Sequence, residues 1–289
     1  MDLANLAAFV AVAEHGGFSA AAEQLHITQP AVSKRIAQLE ASLDARLFDR
    51  LGRQVVPTEA GRTLLPRAQR LLADADDARR ALREVGEGVG GTLRFATSHH
   101  IGLHRLPPLL RRFAGKYPQV ELDIRFMDSE QAWNEVLQGR IELALTTLGP
   151  ATPPLQATSL WHDPLCFVAA ATHPLAQRKT LALADLSAHS AVLPDPGTFT
   201  HRIVAEAFAS RGLPLRLRMT THSLETLKML ASVGLAWSVL PQTLLDRSLR
   251  VLPLRGVKLS RELGLVTHTG RTPSRAAQAF TQLLWQHAD

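Results

Sequence analysis

Gln29, Ser33, Lys34, Arg35 and Gln38 fall within ten residues, and their types suit contact with DNA. The amides of Gln29 and Gln38 match the donor–acceptor pair on adenine, Ser33 can serve a base or a phosphate, and Pro30 and Ala31 can touch a thymine methyl. Lys34 and Arg35 suit phosphates, as do Arg50 and Arg53 from a second element. Ser19 and Thr28, small polar residues at helix starts, belong with this DNA-contacting set. A second group of chemically able residues lies where strands run into helices. These corners are Thr97-Ser98-His99-His100, Asp128-Ser129, Thr198-Phe199-Thr200 and Thr220-Thr-His222-Ser223. Hydroxyls and backbone N–H groups converge at such corners, where a small anion can be held. The plain alternatives are a solvated helix face for each charge and an ordinary N-cap for each hydroxyl.

Other chemistries have less support. His99, His100 and His104 suggest a metal-responsive alternative, with His100 and His104 four apart on one helix face. Gly102 interrupts them and no carboxylate or cysteine is near, so no metal site or other cofactor is assigned. No Gly-x-Ser-x-Gly elbow, phosphate loop, His-Glu-x-x-His or dinucleotide fingerprint is present, so an enzyme is not expected. Cys166 is the single cysteine. It excludes an intramolecular disulfide and reads as a small buried core residue.

The elements that position the first set are legible from periodicity. Residues 3–15 place Leu3, Leu6, Phe9 and Val10 at helical spacing, and Gly16-Gly17 end that helix. Ser19 suits the N-cap of a second helix, Ala20–Leu25. After a turn over 26–29, Pro30 opens a third helix that runs to about Leu43. Its core face is Val32, Ile36, Leu39 and Leu43, leaving Ala31, Ser33, Lys34, Arg35 and Gln38 outward. Residues 47–57 alternate around Gly52 as a small hairpin wing. Thr58 then caps a helix extending to about Glu87, roughly 45 Å long. Leu64, Leu65, Ala68, Leu71, Leu72, Ala75, Ala78, Leu82 and Val85 form its apolar seam, with Pro66 expected to kink it. A lone stripe of this kind needs a partner chain, which predicts a dimer.

A glycine-rich break, residues 86–91, is the one obvious linker. Beyond it strands and helices alternate. The strands expected are 92–97, 120–127, 142–147, 165–171, 191–193, 215–220, 235–240, 251–254 and 262–268. The helices expected are 104–117, 129–139, 199–211, 223–233 and 273–286. This alternation predicts parallel sheets covered by helices on both faces.

Charge alone is a poor guide. The chain carries a net charge of +6 in 289 residues, yet residues 1–60 hold five basic against seven acidic side chains. What favours DNA there is that all five bases fall between 34 and 53, a polarised segment. Residues 88–289 hold 21 basic against 14 acidic side chains, which mildly favours an anionic small ligand, while scattered surface arginines explain the balance equally well. An apolar content of 46% supports buried cores. No run of eighteen apolar residues is found, and Asp2 and Glu14 flank the apolar start, so a cytoplasmic protein without a membrane span is expected.

The motifs resemble those of LysR-type transcriptional regulators over nearly the whole chain. They are Leu6-x-x-Phe9-x-x-Val12, Phe18-Ser-Ala-Ala-Ala22, Leu25-x-Ile-Thr-Gln-Pro-Ala-Val-Ser33, Ile36-x-x-Leu39-Glu40, Leu47-Phe48-x-Arg50 and Thr58-x-Ala-Gly61. Further on come Leu106-Pro-Pro-Leu-Leu110, Gly139-x-Ile-Glu-Leu-Ala144 and Val233-Gly-Leu-Ala-Trp-Ser-Val-Leu-Pro241. The resemblance implies a winged helix-turn-helix at 1–57, a dimerising linker helix and hinge at 58–90, and an α/β effector domain at 91–289. That last domain would resemble periplasmic solute-binding proteins, with subdomain I at 91–161 and 269–289 and subdomain II at 162–268. It implies two-fold related DNA half-sites, a homodimer or homotetramer, and an effector cavity lined by Thr97, Ser98, His99, His100, Ser129, Thr198, Phe199, Thr200 and His222.

Overall fold

The computed structural model describes residues 2–51, 54–83 and 88–287. Helix α1 (Leu3–His15) starts where the Asp2 carboxylate accepts from the Ala4 N–H at 3.1 Å, and stops at Gly16, whose φ of +71° suits a residue without Cβ. Helices α2 (Phe18–Gln24) and α3 (Gln29–Leu43) follow. Leu6, Phe9 and Val12 pack with Ala21, Val32, Ile36 and Leu39 into one small core. Two expectations need correction. Gly17, not Ser19, occupies the N-cap of α2, without a side-chain bond, and Ser19 sits exposed in the first turn. Leu43 is exposed rather than core, because α3 ends there as the chain turns at Asp44, φ +47°.

Strands β1 (Phe48–Leu51) and β2 (Gln54–Pro57) pair antiparallel to form the wing. Phe48 anchors it, with ring centroids 5.3 Å from Phe9 and 6.2 Å from Phe18. Thr58 accepts from the Gly61 N–H at 3.0 Å and donates to the Arg46 carbonyl at 2.7 Å, joining the wing to helix α4 (Glu59–Arg83). A Cβ on Gly61 would overlap the Leu47 carbonyl oxygen, so only glycine lets α4 approach this closely. Helix α4 continues through Pro66; its expected extension to Glu87 falls on 84–87, outside the described residues. Ala68, Leu64, Leu65 and Leu72 join the core of α1–α3, whereas Leu71 and Leu82 are 41% and 76% exposed. These elements form one unit, residues up to Gly88, which also takes in 137–141 and 270–274. Arg271 makes that connection: it donates to both Asp77 oxygens at 2.6 and 2.7 Å and to the carbonyls of Gly139 and Ile141 at 2.6 and 3.0 Å.

The second unit is built from β3 (Gly91–Thr97), α5 (His99–His104), α6 (Leu106–Lys116), β4 (Val120–Phe126), α7 (Ser129–Leu137), β5 (Leu143–Thr147) and β6 (Leu155–Ala169). It continues with α8 (Leu183–Ser187), β7 (Ala191–Leu193), α9 (Phe199–Ala209), β8 (Leu217–Thr220), α10 (Leu224–Ser232), β9 (Ser238–Pro241), β10 (Arg250–Val251), β11 (Leu259–His268) and α11 (Arg275–Gln286). Seven strands form one sheet in the order β10-β6-β11-β5-β3-β4, with β9 also on β6.

That sheet is mixed, which corrects the all-parallel expectation. Strand β3 is parallel to β4 and β5, but β11 is antiparallel to both β5 and β6. The reason is that β6 and β11 serve two separate hydrophobic cores and run past one another between them. Leu160 and Trp161 of β6, with Leu263 and Leu265 of β11, join Phe95, Phe113 and Phe280 in the first core. Leu165 and Phe167 of β6, with Leu259 of β11, join Val204, Phe208 and Trp237 in the second. The short parallel pair β7-β8 lies beside this second core.

Local differences have local causes. The helix predicted over 104–117 is α6, starting at Leu106. The short α5 before it has no counterpart among the predicted helices and ends at Arg105, ahead of Pro107 and Pro108, which lack the N–H groups a continuing helix would use. Strand β6 begins ten residues before the predicted 165, a stretch whose Pro164 and polar residues weaken the strand signal. Cys166 is half-buried rather than buried, and burial still pushes its thiol pKa up, away from the reactive thiolate. Among the described residues no helix is long and apolar enough to cross a membrane.

Candidate functional site

Helix α3 carries most of the first set, but Ala31, Ser33 and Arg35 point outward less fully than expected. Thr28 is the N-cap, with its hydroxyl accepting from the Ala31 N–H at 3.4 Å, and Pro30 lies in the first turn. Gln29, Pro30, Lys34 and Gln38 are exposed; Ala31, Ser33 and Arg35 are half-buried at the rim of the apolar face. Gln29 donates its amide to Ser33 at 2.9 Å, one helical turn on, so these two present a single polar face. Glu40 accepts from the Leu47 N–H at 2.7 Å and fixes the wing's approach to α3. Arg50 lies in β1; Arg53 lies outside the described residues.

The second set gathers around a cavity of about 580 Å³ in the second unit. Ser98, His99, His100, Ser129, Thr198, Phe199, Thr200 and His222 all line it. Thr97 does not: it is buried in β3, donates to the Ser98 carbonyl, and is not part of the lining. The hydroxyls differ in their freedom. Ser98 holds the N-cap place of α5 without making a cap bond. Ser129 accepts from the Thr147 N–H at 3.2 Å, and Thr198 caps α9 by accepting from the His201 N–H at 3.1 Å. Phe199 is wedged against Trp133 with ring centroids 5.5 Å apart, and a Cβ on Gly149 would overlap its ring.

Sequence reasoning missed the strongest charge in the cavity. Arg261 is only 5% exposed yet lines it. Its Nε donates to Asp163 Oδ2 at 2.8 Å and its Nη1 to the Thr200 hydroxyl at 2.9 Å, while Nη2 meets no partner among the described residues. A buried donor left over in this way is costly unless something accepts from it. Burial pulls the Arg261 pKa down, and the adjoining Asp163 carboxylate opposes that shift. Starting β11 at 262 hid this residue from sequence analysis, and β11 in fact begins at Leu259.

The histidines divide by environment. His100, 4% exposed, is held neutral: burial, then Arg261, His104 and Arg105 push its pKa from 6.5 to about 3. Its Nε2 lies 3.7 Å from Asp163 and 3.4 Å from the Thr243 hydroxyl. His99 stacks on Phe126 instead of joining His100 and His104, and no group of three potential ligands converges on a metal position among the described residues. His222 bridges two carboxylates at the cavity, with Nδ1 3.0 Å from Asp128 and Nε2 2.8 Å from Asp195.

A winged helix-turn-helix joined to an α/β domain with a ligand-sized cavity defines a ligand-responsive transcriptional regulator. Residues 3–62 match the family of bacterial regulatory helix-turn-helix proteins of the LysR type, and residues 86–289 match the LysR substrate binding domain. The chain belongs to the LysR family. It is 68% identical to an HTH-type transcriptional regulator of Azotobacter vinelandii over 108 residues, 37% of this chain and 75% of that protein. It is 29% identical to the RuBisCO operon transcriptional regulator of Allochromatium vinosum, over 100% of this chain and 97% of the relative. Full-length CbnR bound to its target DNA superposes with a TM-score of 0.67 at 24% identity, over 99% of this chain and 100% of that one. The regulatory domain of CcmR from Synechocystis, in complex with 2-PG, superposes with a TM-score of 0.62 at 25% identity, over 68% of this chain and 97% of that one.

Proposed function

We propose that α3 reads operator DNA and that the cavity beside Arg261 binds a small anionic effector that controls this reading. The carrying observation is the buried guanidinium whose Nη2 meets no acceptor among the described residues, set among helix-start hydroxyls in a cavity of ligand size. The CcmR regulatory domain, of similar fold, is known in complex with the small molecule 2-PG. Gln29 and Ser33, with Gln38, Pro30 and Ala31, face the bases; Lys34, Arg35, Arg50 and Arg53, with Ser19 and Thr28, face phosphates. Exposed Leu71 and Leu82 on α4 are covered by a second copy, giving a dimer or tetramer whose paired α3 helices fit two-fold related half-sites. The two hydrophobic cores that share β6 and β11 support a cleft between subdomains 91–161 plus 269–289 and 162–268. Such a protein acts in the cytoplasm, where the DNA is.

A thermal-shift screen of small organic acids tests the effector half. A true ligand at a hundredfold excess over its Kd adds about 2.7 kcal/mol of stability. Ser98→Trp, which fills the cavity, abolishes that shift; an equal shift in the variant would place the ligand elsewhere. For the DNA half, Arg35→Ala lowers affinity for all sequences alike and makes the plot of log affinity against log salt shallower by about one unit. An unchanged slope removes Arg35 from the phosphate contacts.

A further inference from the structure

The cavity already holds one carboxylate of its own, and it sits where an acid would bind. Glu130, the second residue of α7, accepts from the Phe199 N–H at 2.5 Å across 69 residues of sequence. Phe199 opens α9, an eleven-residue helix whose amino end favours negative charge. The next residue, Thr200, takes Arg261 Nη1, so the unpartnered Nη2 belongs to the same corner of the cavity as the Phe199 amide. Glu130 interacts electrostatically with the Arg261 guanidinium as well as accepting from the Phe199 amide, and all three residues line the cavity. The amide is taken by Glu130, and Arg261 Nη2 meets no partner among the described residues. The remaining charged lining is acidic, Asp128 and Glu225, which disfavours a second negative charge on the ligand.

We propose that Glu130 stands in for the effector in the ligand-free protein, and that the effector is a small monocarboxylic acid. Its carboxylate displaces Glu130 from the Phe199 amide and accepts from Arg261 Nη2 as well. Glu130 then selects for acids by competing with them, and it keeps the α9 end neutralised when no acid is present. Exchanging an internal carboxylate for a free one removes the hydrogen bond between α7 and α9 at this corner and leaves their Trp133–Phe199 ring contact in place. This rests on the cavity being the effector site.

The test compares wild type with Glu130→Gln, using sodium acetate as the probe in thermal-shift titrations at constant ionic strength. Removing the competing charge lowers the half-saturating acetate concentration about five- to tenfold. Glu130→Ala, which leaves no acceptor at all, shifts it in the same direction. Sodium sulfate, as the divalent comparator, gains less than acetate in both variants. Equal or weaker acetate binding in the variants overturns the proposal, because Glu130 would then be a partner of the ligand rather than its rival. Absence of acetate binding in both variants overturns it too. The underlying site assignment fails separately: only then does an acid that stabilises wild type stabilise Ser98→Trp equally.

Discussion

Exchanging Arg261 for methionine is expected to destabilise the second unit by about 3–5 kcal/mol, the usual loss when one member of a buried ion pair is removed. Asp163 is fully buried, and Arg261 Nε at 2.8 Å is what neutralises its Oδ2, while its Oδ1 meets no partner among the described residues. The variant must bury an uncompensated carboxylate or protonate it. Pairing the change with Asp163→Leu removes the orphaned charge, and most of the loss is recovered, since apolar replacements of buried ion pairs are commonly neutral or stabilising. All four tryptophans lie between positions 133 and 285, so urea unfolding followed by fluorescence reports on this part of the chain. A loss below about 1 kcal/mol in the single variant would show that the pair does not hold this corner together. The double variant separates two roles. It restores stability but leaves no guanidinium, so it does not respond to small acids.

The contrast between α3 and Arg261 explains what the sequence reveals. Recognition by α3 is local: Thr28, Pro30, the apolar stripe of Val32, Ile36 and Leu39, and the outward Gln29, Lys34 and Gln38 all follow from spacing within one helix. The hairpin wing and the Thr58 cap are equally local. The cavity is not. It is assembled from residues as far apart as Ser98 and Arg261, brought together by β6 and β11 running antiparallel between two cores. Periodicity predicts strands but not their partners, and an antiparallel pairing between distant segments leaves no local mark. The helix-start rule still found Ser98, Ser129, Thr198 and Thr200, because it needs only a strand-to-helix corner. It found nothing at Arg261 or Asp163, which meet in mid-strand, and it included Thr97, whose side chain turns into the core. Gly149 shows the same limit: its need to be glycine comes from the Phe199 ring, fifty residues away.

Acid titration gives the second large effect, through His100. Its folded pKa of about 3 lies below the ordinary 6.5, so the unfolded chain binds a proton that the folded chain refuses. Stability from this group is complete above pH 6.5, falls as pH drops below that value, and is exhausted only below about 3. Between pH 7.5 and 5 the expected loss is about 2 kcal/mol. Carboxylates with lowered pKa, such as Asp123 and Glu262, contribute mainly below this window, but His173, also pushed down by burial, adds a loss of the same sign. The decisive quantity is therefore a difference of differences. His100→Gln keeps a polar group of similar reach towards Thr243 and Asp163 but cannot titrate. Its stability should fall less than that of wild type between the two pH values, by about 2 kcal/mol, when both are unfolded in urea under tryptophan fluorescence. Equal pH dependence in the two proteins would mean that His100 accepts its proton in the folded state. Arg261 would then share the corner with an imidazolium, and the net charge offered to an incoming acid would be one unit more positive than the neutral ring allows.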